Sequence, residues 1–540
     1  MSGFFPGDEG DAYMMKLQEM AAECGICPAF YTCTAWGGAA TPECMMPLWG
    51  GYAFRPWLFY SYQGEHPATE EYVYQDFHNN NVKCTNDFQP AYAPETRPYA
   101  CCEMGGGMMC SYYYRFQLPY KSVDAMANIK MGSGCNFLGY YMFQGGSNPV
   151  GKHGTFMNEG QVPKISYDYQ AALGEFGQVR ESYRRLKSTH YFATSFADRL
   201  CGLQTILPEG ATQIEPKDAK ALRFAVRTDG RRGFVFINNY QDHFKLPERK
   251  KEEIALELDN ETITYQFDIA SDENAILPFH FDLDGIDLVY ATAQPLLRIV
   301  PEGKVTYVFM KPDGMQARFR FEEGVTVNDE QESQYIMDGE GDAALVNVAK
   351  EEKEIRLLVI NRKLANEMFR VSGECLMFTD QALLESGQTL RLETTQVENM
   401  VGMFAGEDAI EWKRVSANEK EISINHTQIA PNRYIIGIEN DFLDGIKDAR
   451  LQIDYVGDIG HAFIDGKMIH DNFYNGATWE IGLKEYAEEL KEHLLTIYIT
   501  PLKEGVNVES GMAARIEEVE KSTGEIRGVK IQPVYEIEIV

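Results

Sequence analysis

The sequence predicts an α/β segment followed by antiparallel β-domains. In the first part of the chain, helical patterns alternate with short apolar runs that suit strands buried on both faces, which is typical of an α/β barrel. Beyond about residue 200 the pattern changes to short alternating strands joined by favoured turn dipeptides, which indicates β-sandwiches or jelly rolls. With 540 residues the chain is long enough for three or four domains.

The α/β segment begins with a helix predicted over residues 11–24. Met14, Leu17 and Met20 have the three-to-four spacing that lines one helical face, and Gly25 supplies a left-handed stop. The run CPAFYTCT then predicts a buried strand. The remaining elements predicted here are a helix over 123–127 that ends before Gly132 and Gly134, a strand over 136–143 (NFLGYYMF) and a closing helix over 175–190.

Two hairpins mark the β-rich part. In LRFAVRTDGRRGFVFIN the residues Leu222, Phe224 and Val226 alternate, and Asp229-Gly230 forms the turn. HAFIDGKMI repeats this pattern at Asp465-Gly466.

Charge excludes several classes of partner. There are 50 Lys plus Arg against 81 Asp plus Glu, a net charge of −31, which repels both nucleic acid and anionic membrane surfaces. We find no apolar stretch long enough to span a bilayer, and MSGFFPGDEGDAYMM lacks the basic and apolar parts of a secretory signal. These observations predict a cytoplasmic protein.

The distribution of residue types places the chemistry in the first third. Residues 1–190 have a net charge of −5 and contain 9 of the 11 cysteines and 18 of the 30 tyrosines. A tyrosine-rich segment of low charge suits a pocket for a neutral polar ligand. The more acidic remainder is interpreted as solvated scaffold.

The cysteines allow two interpretations. Cys24 and Cys27 form a CxxC, followed by Cys33 and Cys44, but these irregular gaps are a weak signal for a zinc site. Buried free thiols in a reducing compartment are the alternative. We therefore predict no metal and no cofactor.

Known catalytic motifs are mostly absent from the sequence. We find no GxSxG elbow, no HExxH and no P-loop. Glu103 ends a short apolar run in PYACCEMGGGMM, a position suited to a glycosidase nucleophile at the end of a barrel strand. The alternative for any single Glu is an ordinary solvated side chain.

A family resemblance gives Glu103 a context. YYMFQGGSNPVGKHGTF followed by ISYDYQAALGEFG resembles the last barrel strand and loop of glycoside hydrolase family 35, the β-galactosidases. In that family the nucleophile lies 38 residues before the Tyr of Tyr-Met-Phe, as Glu103 does before Tyr141. RTDGRRGFVFINNYQDH and LPFHFDLDGIDLVYATAQPL are similar to the family's first β-domain, and DYVGDIGHAFIDGKMIHDNFYNGATWEIGL to its C-terminal jelly roll.

The resemblance implies roles for three residues. Glu103 corresponds to the nucleophile, Tyr141 to a tyrosine that contacts galactose, and Tyr169 to the second tyrosine of Ser-Tyr-Asp-Tyr. The alternative for both tyrosines is core packing. The family's Gly-Trp after the nucleophile corresponds here to Gly107-Met108, which predicts a changed leaving-group subsite.

The resemblance also implies a missing residue. In the family the acid/base Glu ends an Asn-Glu pair before a helix like that of residues 11–24, and MSGFFPGDEG has no such pair. We therefore expect the chain to hold the C-terminal half of a (β/α)8 barrel without its acid/base, and to be essentially inactive by itself. Glu159 is the nearby carboxylate that we considered as a substitute. Open sheet edges would favour aggregation or pairing with another chain, such as a second copy, while the part beyond about residue 200 remains folded.

These inferences predict an organisation and a function. The expected domains are a half-barrel over residues 1–195, an antiparallel β-domain over 196–325, a β-sandwich or jelly roll over 326–440 and a jelly roll over 441–540. The resemblance implies a retaining β-galactosidase that cleaves terminal β-linked galactose from oligo- or polysaccharides. The alternative is a non-catalytic carbohydrate-binding or scaffold protein derived from such an enzyme.

Overall fold

Four short parallel strands form the sheet of the N-terminal part of the chain. They are β1 (Tyr31–Cys33), β2 (Met46–Gly51), β3 (Cys101–Met104) and β4 (Leu138–Tyr140), which pair in chain order. The computed structural model describes residues 8–33, 41–60, 64–76, 96–156, 160–259, 261–337, 341–372, 374–504 and 521–539. Parallel pairing requires crossover connections, so the predicted α/β character of this region is confirmed.

The helices of the N-terminal part lie near the positions that the sequence pattern predicts, but their lengths differ from the predicted ones. They are α1 (Asp8–Glu23), α2 (Lys121–Gly132), α3 (Glu181–Ser195) and α4 (Ala197–Leu200), with the two-stranded ribbon β5 (Gly146–Ser147) and β6 (Ser166–Tyr167) between α2 and α3. Helix α3 was expected from residue 175, but residues 175–180 form a loop in which Arg180 pairs with Asp168.

Helix α1 shows that a helical pattern does not determine burial. The helix forms where the spacing predicts it, yet Leu17 and Met20 on its apolar face are 43% and 50% exposed among the described residues. Helix α2 is the opposite case, because all of its residues from Ser122 to Gly132 are buried, including Asp124 and Lys130. Their partners are Arg185 at 2.8 Å and Glu71 at 2.6 Å.

Antiparallel sheets make up most of the rest of the chain. A seven-stranded antiparallel sheet has the order β18-β16-β13-β12-β9-β8-β7. A five-stranded sheet has the order β14-β15-β20-β19-β17 and is mixed, because β15 and β20 are parallel. The strands of this middle region are β7 (Gln204–Ile206), β8 (Arg223–Thr228), β9 (Gly233–Asn238), β10 (Arg249–Glu257), β11 (Thr262–Ile269), β12 (Asn274–Asp282), β13 (Asp287–Ala291), β14 (Gln294–Ile299), β15 (Thr306–Lys311), β16 (Arg318–Phe321), β17 (Thr326–Val327), β18 (Gln334–Ile336), β19 (Ala343–Lys350) and β20 (Lys353–Asn361).

Besides the two-stranded antiparallel sheet β10-β11, three further sheets are described, with orders β21-β22-β25-β26, β23-β24-β34-β29-β32 and β27-β28-β33-β30-β31. Their elements are α5 (Arg362–Glu367), β21 (Met368–Val371), β22 (Cys375–Phe378), β23 (Ala382–Ser386), β24 (Thr389–Thr394), β25 (Glu398–Phe404), β26 (Glu411–Ser416), β27 (Ile424–Ala430), β28 (Arg433–Ile438), β29 (Asp448–Val456), β30 (Ile459–Ile464), β31 (Lys467–Phe473), β32 (Trp479–Gly482), α6 (Ala487–Glu492), β33 (Leu495–Thr500) and β34 (Glu525–Glu538). We call residues 424–539 the C-terminal β-unit. No helix among the described residues is long and apolar enough to cross a membrane.

Both hairpins form where the turn dipeptides predict them. Strands β8 and β9 pair around Asp229-Gly230, and β30 and β31 pair around Asp465-Gly466, where both residues have positive φ. Both faces of β8 are covered in the folded chain. Arg223 and Arg227 on its second face are each 1% exposed.

Those two arginines attach the seven-stranded sheet to the N-terminal part. The Arg227 guanidinium donates to the carbonyl oxygens of Met131, at the end of α2, and of Leu200, at the end of α4, at 2.9 and 3.0 Å. Arg223 donates to the carbonyl of Tyr72 at 3.3 Å. The last carbonyl groups at the C-terminal end of a helix have no hydrogen-bond donor within the helix. A cationic donor satisfies them and interacts favourably with the negative end of the helix dipole.

Candidate active site

Main-chain contacts bring the three candidate site residues together. Strand β3 carries Glu103 near its end, and the amide of Tyr141 donates to the carbonyl of Met104 at 2.8 Å. The amide of Met108 donates to the carbonyl of Tyr169 at 2.5 Å. Residues far apart in the sequence therefore converge on the segment that follows Glu103.

Glycine is required at two positions of that segment. A Cβ atom on Gly106 would lie 2.7 Å from the carbonyl oxygen of Met142, and one on Gly107 would lie 2.6 Å from that of Tyr169. Both distances are shorter than real Cβ atoms tolerate, and the opposing atoms belong to the main chain. The glycine run EMGGGM therefore allows the loops of Tyr141 and Tyr169 to approach β3.

The tyrosines form a compact cluster. Tyr141 and Tyr169 are edge to face with ring centroids 6.1 Å apart, and Tyr167 stacks on Tyr169 at 4.0 Å. The hydroxyl groups of Tyr141 and Tyr167 share a hydrogen bond. Tyr169 is 6% exposed, whereas Tyr141 is half-buried. The alternative role in core packing therefore fits Tyr169 better than Tyr141.

The side chain that contacts Glu103 was missed at the sequence level. The hydroxyl of Tyr52 donates to Oε2 of Glu103 at 2.6 Å. Tyr52 directly follows β2, whose Gly50 pairs with Glu103, so the two side chains come from the carboxyl ends of adjacent parallel strands. The sequence signal was Gly-Gly-Tyr after an apolar run, the same pattern that singled out Glu103.

Tyr52 stays protonated. Burial, the hydrogen bond to Glu103 and the charge of Glu103 raise the pKa of Tyr52 well above its ordinary value. Tyr141 also contributes to this shift, which places its phenol in the same electrostatic environment. The phenol of Tyr52 is therefore a hydrogen-bond donor to the Glu103 carboxylate across the whole physiological pH range.

The C-terminal β-unit holds the loop that carries Tyr167 and Tyr169. The Asp471 carboxylate accepts from the amides of Lys164, Ile165 and Ser166 at 2.5, 2.9 and 3.2 Å. Asp471 is 2% exposed, and a carboxylate that accepts several amide donors forms strong charge-assisted bonds. Sequence reasoning gave no sign of this contact, which spans 307 positions.

A second link joins the same two regions. His470 donates from Nε2 to Glu175 at 3.0 Å and accepts from the indole N–H of Trp479 at 2.8 Å. Glu175 also accepts from the hydroxyl of Ser166 at 2.8 Å. Between these residues lies a cavity of about 160 Å³ that Met108 and Tyr169 also line.

One group with the composition of a metal site occurs in the described part of the chain: His66, Asp242 and His243. His66 donates from Nδ1 to the carbonyl of Pro67 at 2.8 Å and accepts at Nε2 from the amide of Arg55 at 3.0 Å. Both nitrogens are therefore occupied by the main chain. The two imidazoles stack at 3.9 Å, and we interpret the group as a structural network.

The buried Asp242 predicts a pH-dependent stability. Burial raises its pKa to about 8 despite hydrogen bonds from Thr69, whereas an unfolded Asp ionises near 3.8. Between these values the folded state holds the additional proton, so stability falls with rising pH by up to about 1.4 kcal/mol per pH unit. Asp242→Asn removes this dependence. The free energy of unfolding of the variant, relative to that of the native protein, should therefore increase between pH 4 and pH 8 and stay constant above pH 8.

Urea unfolding of both proteins at pH 5, 6.5, 8 and 9 measures that difference. His66 and His243, whose pKa values burial lowers to about 4 and about 3, titrate in both proteins and cancel in the comparison. Parallel stability curves for the native chain and Asp242→Asn would contradict the assignment.

The cysteines do not form a metal site within the described residues. Cys24, Cys27 and Cys44 are free and exposed, and the side chain of Cys33 lies outside the described residues. The expectation of buried thiols is wrong for these three, but it holds for Cys101 and Cys135. Glu159, the carboxylate considered as a substitute acid/base, also lies outside the described residues.

Comparison with known families gives one matching family model. Residues 46–192 match the family model of glycosyl hydrolases family 35. No curated protein matches the chain. The matched segment contains β2, β3 and β4 together with Glu103, Tyr141 and Tyr169, and it implies a glycoside hydrolase with a carbohydrate substrate. The similarity to glycosyl hydrolases family 35 is thus carried by residues 46–192, about a quarter of the chain.

Proposed function

We propose that this protein is a retaining hydrolase of the β-galactosidase type that removes terminal β-linked galactose from oligo- or polysaccharides. Glu103 is the nucleophile. Its contact with the hydroxyl of Tyr52 at 2.6 Å is the observation that carries the proposal, because a nucleophilic carboxylate needs a fixed orientation and a donor that keeps its charge.

The proposed reaction has two steps. A Glu103 oxygen forms an ester bond to the anomeric carbon while the bond to the leaving oxygen breaks, and an acid supplies the proton that this oxygen takes up. Water then attacks the anomeric carbon, gives a proton to the conjugate base, and releases galactose with Glu103 regenerated. Tyr141 and Tyr169 are proposed to contact the sugar, which their position beside the end of β3 supports.

The proposal includes the finer architecture. The parallel sheet β1–β4 with α2 and α3 supports half of a (β/α)8 barrel over residues 1–195. The antiparallel sheets support a β-domain over 196–325 and sandwiches or jelly rolls over 326–440 and 441–540. Aromatic side chains at the end of the parallel strands are the expected place for a sugar site in such an architecture.

We assign no acid/base residue to this chain, and we therefore expect it to hydrolyse unactivated galactosides very slowly. General acid/base help is worth about 10²- to 10⁴-fold, so lactose, whose leaving group needs a proton, should not be hydrolysed measurably. In a 2,4-dinitrophenyl β-galactoside the leaving group is dinitrophenolate, which departs without being protonated. Such a substrate can therefore still transfer its galactosyl group to Glu103.

Trapping that galactosyl ester tests the proposal. Incubation with the dinitrophenyl galactoside should release up to one equivalent of dinitrophenol, and peptide mass spectrometry should find the added hexose on Glu103. An adduct on another residue would refute the assignment of Glu103. Galactose binding without any dinitrophenol release would favour the non-catalytic carbohydrate-binding alternative.

Tyr52→Phe should slow galactosylation without unfolding the site. Loss of a hydrogen bond to a charged group corresponds to about a 10- to 100-fold lower rate of dinitrophenol release. The apparent KM should change little, because the phenol is proposed to orient Glu103 rather than to bind sugar. Tyr113→Phe, at an exposed tyrosine of the same region, is the control. Equal rates for native protein and Tyr52→Phe would show that this phenol has no positioning role.

A further inference from the structure

A groove separate from the candidate active site lies between helix α5 and the edge of the sheet β21-β22-β25-β26. Its volume is about 410 Å³. One side is formed by α5, through Lys363 and Glu367, and the floor by strands β25 and β26. None of its lining residues comes from the N-terminal parallel sheet.

The floor of the groove is an aromatic platform. Trp412 on β26 and Met400 on β25 are each 46% exposed. Trp412 pairs with Gly402, and a Cβ atom there would lie 3.1 Å from the indole ring. The six-membered ring of the indole therefore lies close to Gly402, and the side chain lines the groove.

Protection of the sheet edge does not explain this tryptophan. An edge strand is normally protected by charged side chains, and β26 already has Glu411, Lys413 and Arg414. An exposed indole beside an exposed methionine adds apolar surface at a place where aggregation is a risk. A supported aromatic ring that lines a groove is instead the arrangement found in ligand sites.

The polar rim of the groove indicates the type of ligand. Amide groups are supplied by Gln396 and Asn399, and Asn399 is held in place because its Nδ2 donates to the carbonyl of Gln396 at 3.1 Å and its Oδ1 accepts from Thr394 at 2.8 Å. The ionisable residues of the lining are four carboxylates against two cations: Asp342, Glu367, Asp380 and Glu398 against Lys363 and Arg414. This charge disfavours phosphorylated or acidic ligands.

We propose that this groove binds a neutral oligosaccharide chain, and the β-linkage of that chain rests on the proposed function. The apolar C–H face of a pyranose ring would stack on Trp412, while its hydroxyl groups would bond to the amides and carboxylates of the rim. The site is a second carbohydrate-binding site, carried by the part of the chain after α5. It requires neither Glu103 nor catalysis.

Binding of neutral tetrasaccharides tests this site. Soluble β-1,4-linked galactotetraose and cellotetraose would be titrated into the full chain by calorimetry, with tryptophan fluorescence as a second readout. We expect at least one to bind, Trp412→Ala to weaken that binding at least about tenfold, and Trp412→Tyr, which keeps a ring, to retain it. Leu384→Ala, at a residue 43% exposed on β23, is the matched surface control and should bind as the native chain does.

The outcome is distinguishable from that of the active-site proposal. Glu103→Gln should bind the tetrasaccharide at the groove unchanged, and Trp412→Ala should form the galactosyl ester on Glu103 as the native chain does. Thermal unfolding of each variant establishes that the fold is retained. Absence of binding to either tetrasaccharide, or equal binding by native protein and Trp412→Ala, would overturn the proposal.

Discussion

Glu103→Gln should lower the rate of dinitrophenol release from 2,4-dinitrophenyl β-galactoside by at least about 10⁴-fold, the scale of loss when a nucleophile is removed. Glutamine keeps the size of the side chain and still accepts from the hydroxyl of Tyr52, so the fold and the pocket should be unchanged. It cannot form the ester with the anomeric carbon. Stopped-flow absorbance of dinitrophenol, with intact-mass measurement of the adduct, gives both the rate and the product.

Glu181→Gln is the matched control for this loss. Glu181 is exposed in the first turn of α3, within the same family-35 segment, and should react at the native rate. If Glu103→Gln released dinitrophenol at the native rate, another residue would be the nucleophile. The similarity of residues 46–192 to family 35 would stand, but the role of Glu103 would not.

Glu273→Gln should produce the largest loss of stability, about 3–5 kcal/mol in the free energy of unfolding. The Glu273 carboxylate accepts from Arg185 at 2.9 Å and from Arg362, and all three side chains are no more than 5% exposed. Removing the negative charge leaves two buried guanidinium groups with one remaining carboxylate, Asp124. Urea unfolding followed by circular dichroism measures the shift.

Arg185 and Arg362 also determine how the stability contributed by the Glu273 carboxylate depends on pH. Their charges lower the pKa of Glu273 to about 2 against the effect of burial, below its ordinary 4.5. Stabilisation by the ionised carboxylate is therefore complete above pH 4.5 and is lost as the pH falls toward 2. Glu273→Gln should not show this acid-dependent loss.

An exposed ion pair provides the control for Glu273. Glu488 pairs with Lys491 at 2.6 Å, and its side chain is 83% exposed. Glu488→Gln should cost less than about 1 kcal/mol, because solvent screens such pairs. Equal losses for Glu273→Gln and Glu488→Gln would show that the buried network does not connect α3, α5 and β12 as the structure indicates.

Local patterns were sufficient to predict several elements. The spacing of Met14, Leu17 and Met20 predicted α1, and the dipeptides Asp229-Gly230 and Asp465-Gly466 predicted two hairpins, because helix periodicity and turn geometry depend on residues close in the sequence. The family resemblance on which Glu103 depends was also readable from contiguous motifs, and the family match over 46–192 confirms it.

Other features depended on contacts between distant residues. The hydrogen bond from Tyr52 to Glu103 spans 51 positions, and the bonds from Asp471 to the loop before Tyr167 span about 300. Arg223 and Arg227 are buried, which strand alternation cannot predict because it does not show that a second layer covers the sheet.

The sequence by itself thus determined the local elements, the family and the position of the candidate nucleophile. The tertiary structure alone decided which side chains surround that nucleophile, which β-unit holds its loop, and which charges are buried. The physical reason is that periodicity and turn preference are properties of neighbouring residues, whereas burial and hydrogen-bond partners depend on which surfaces meet after folding.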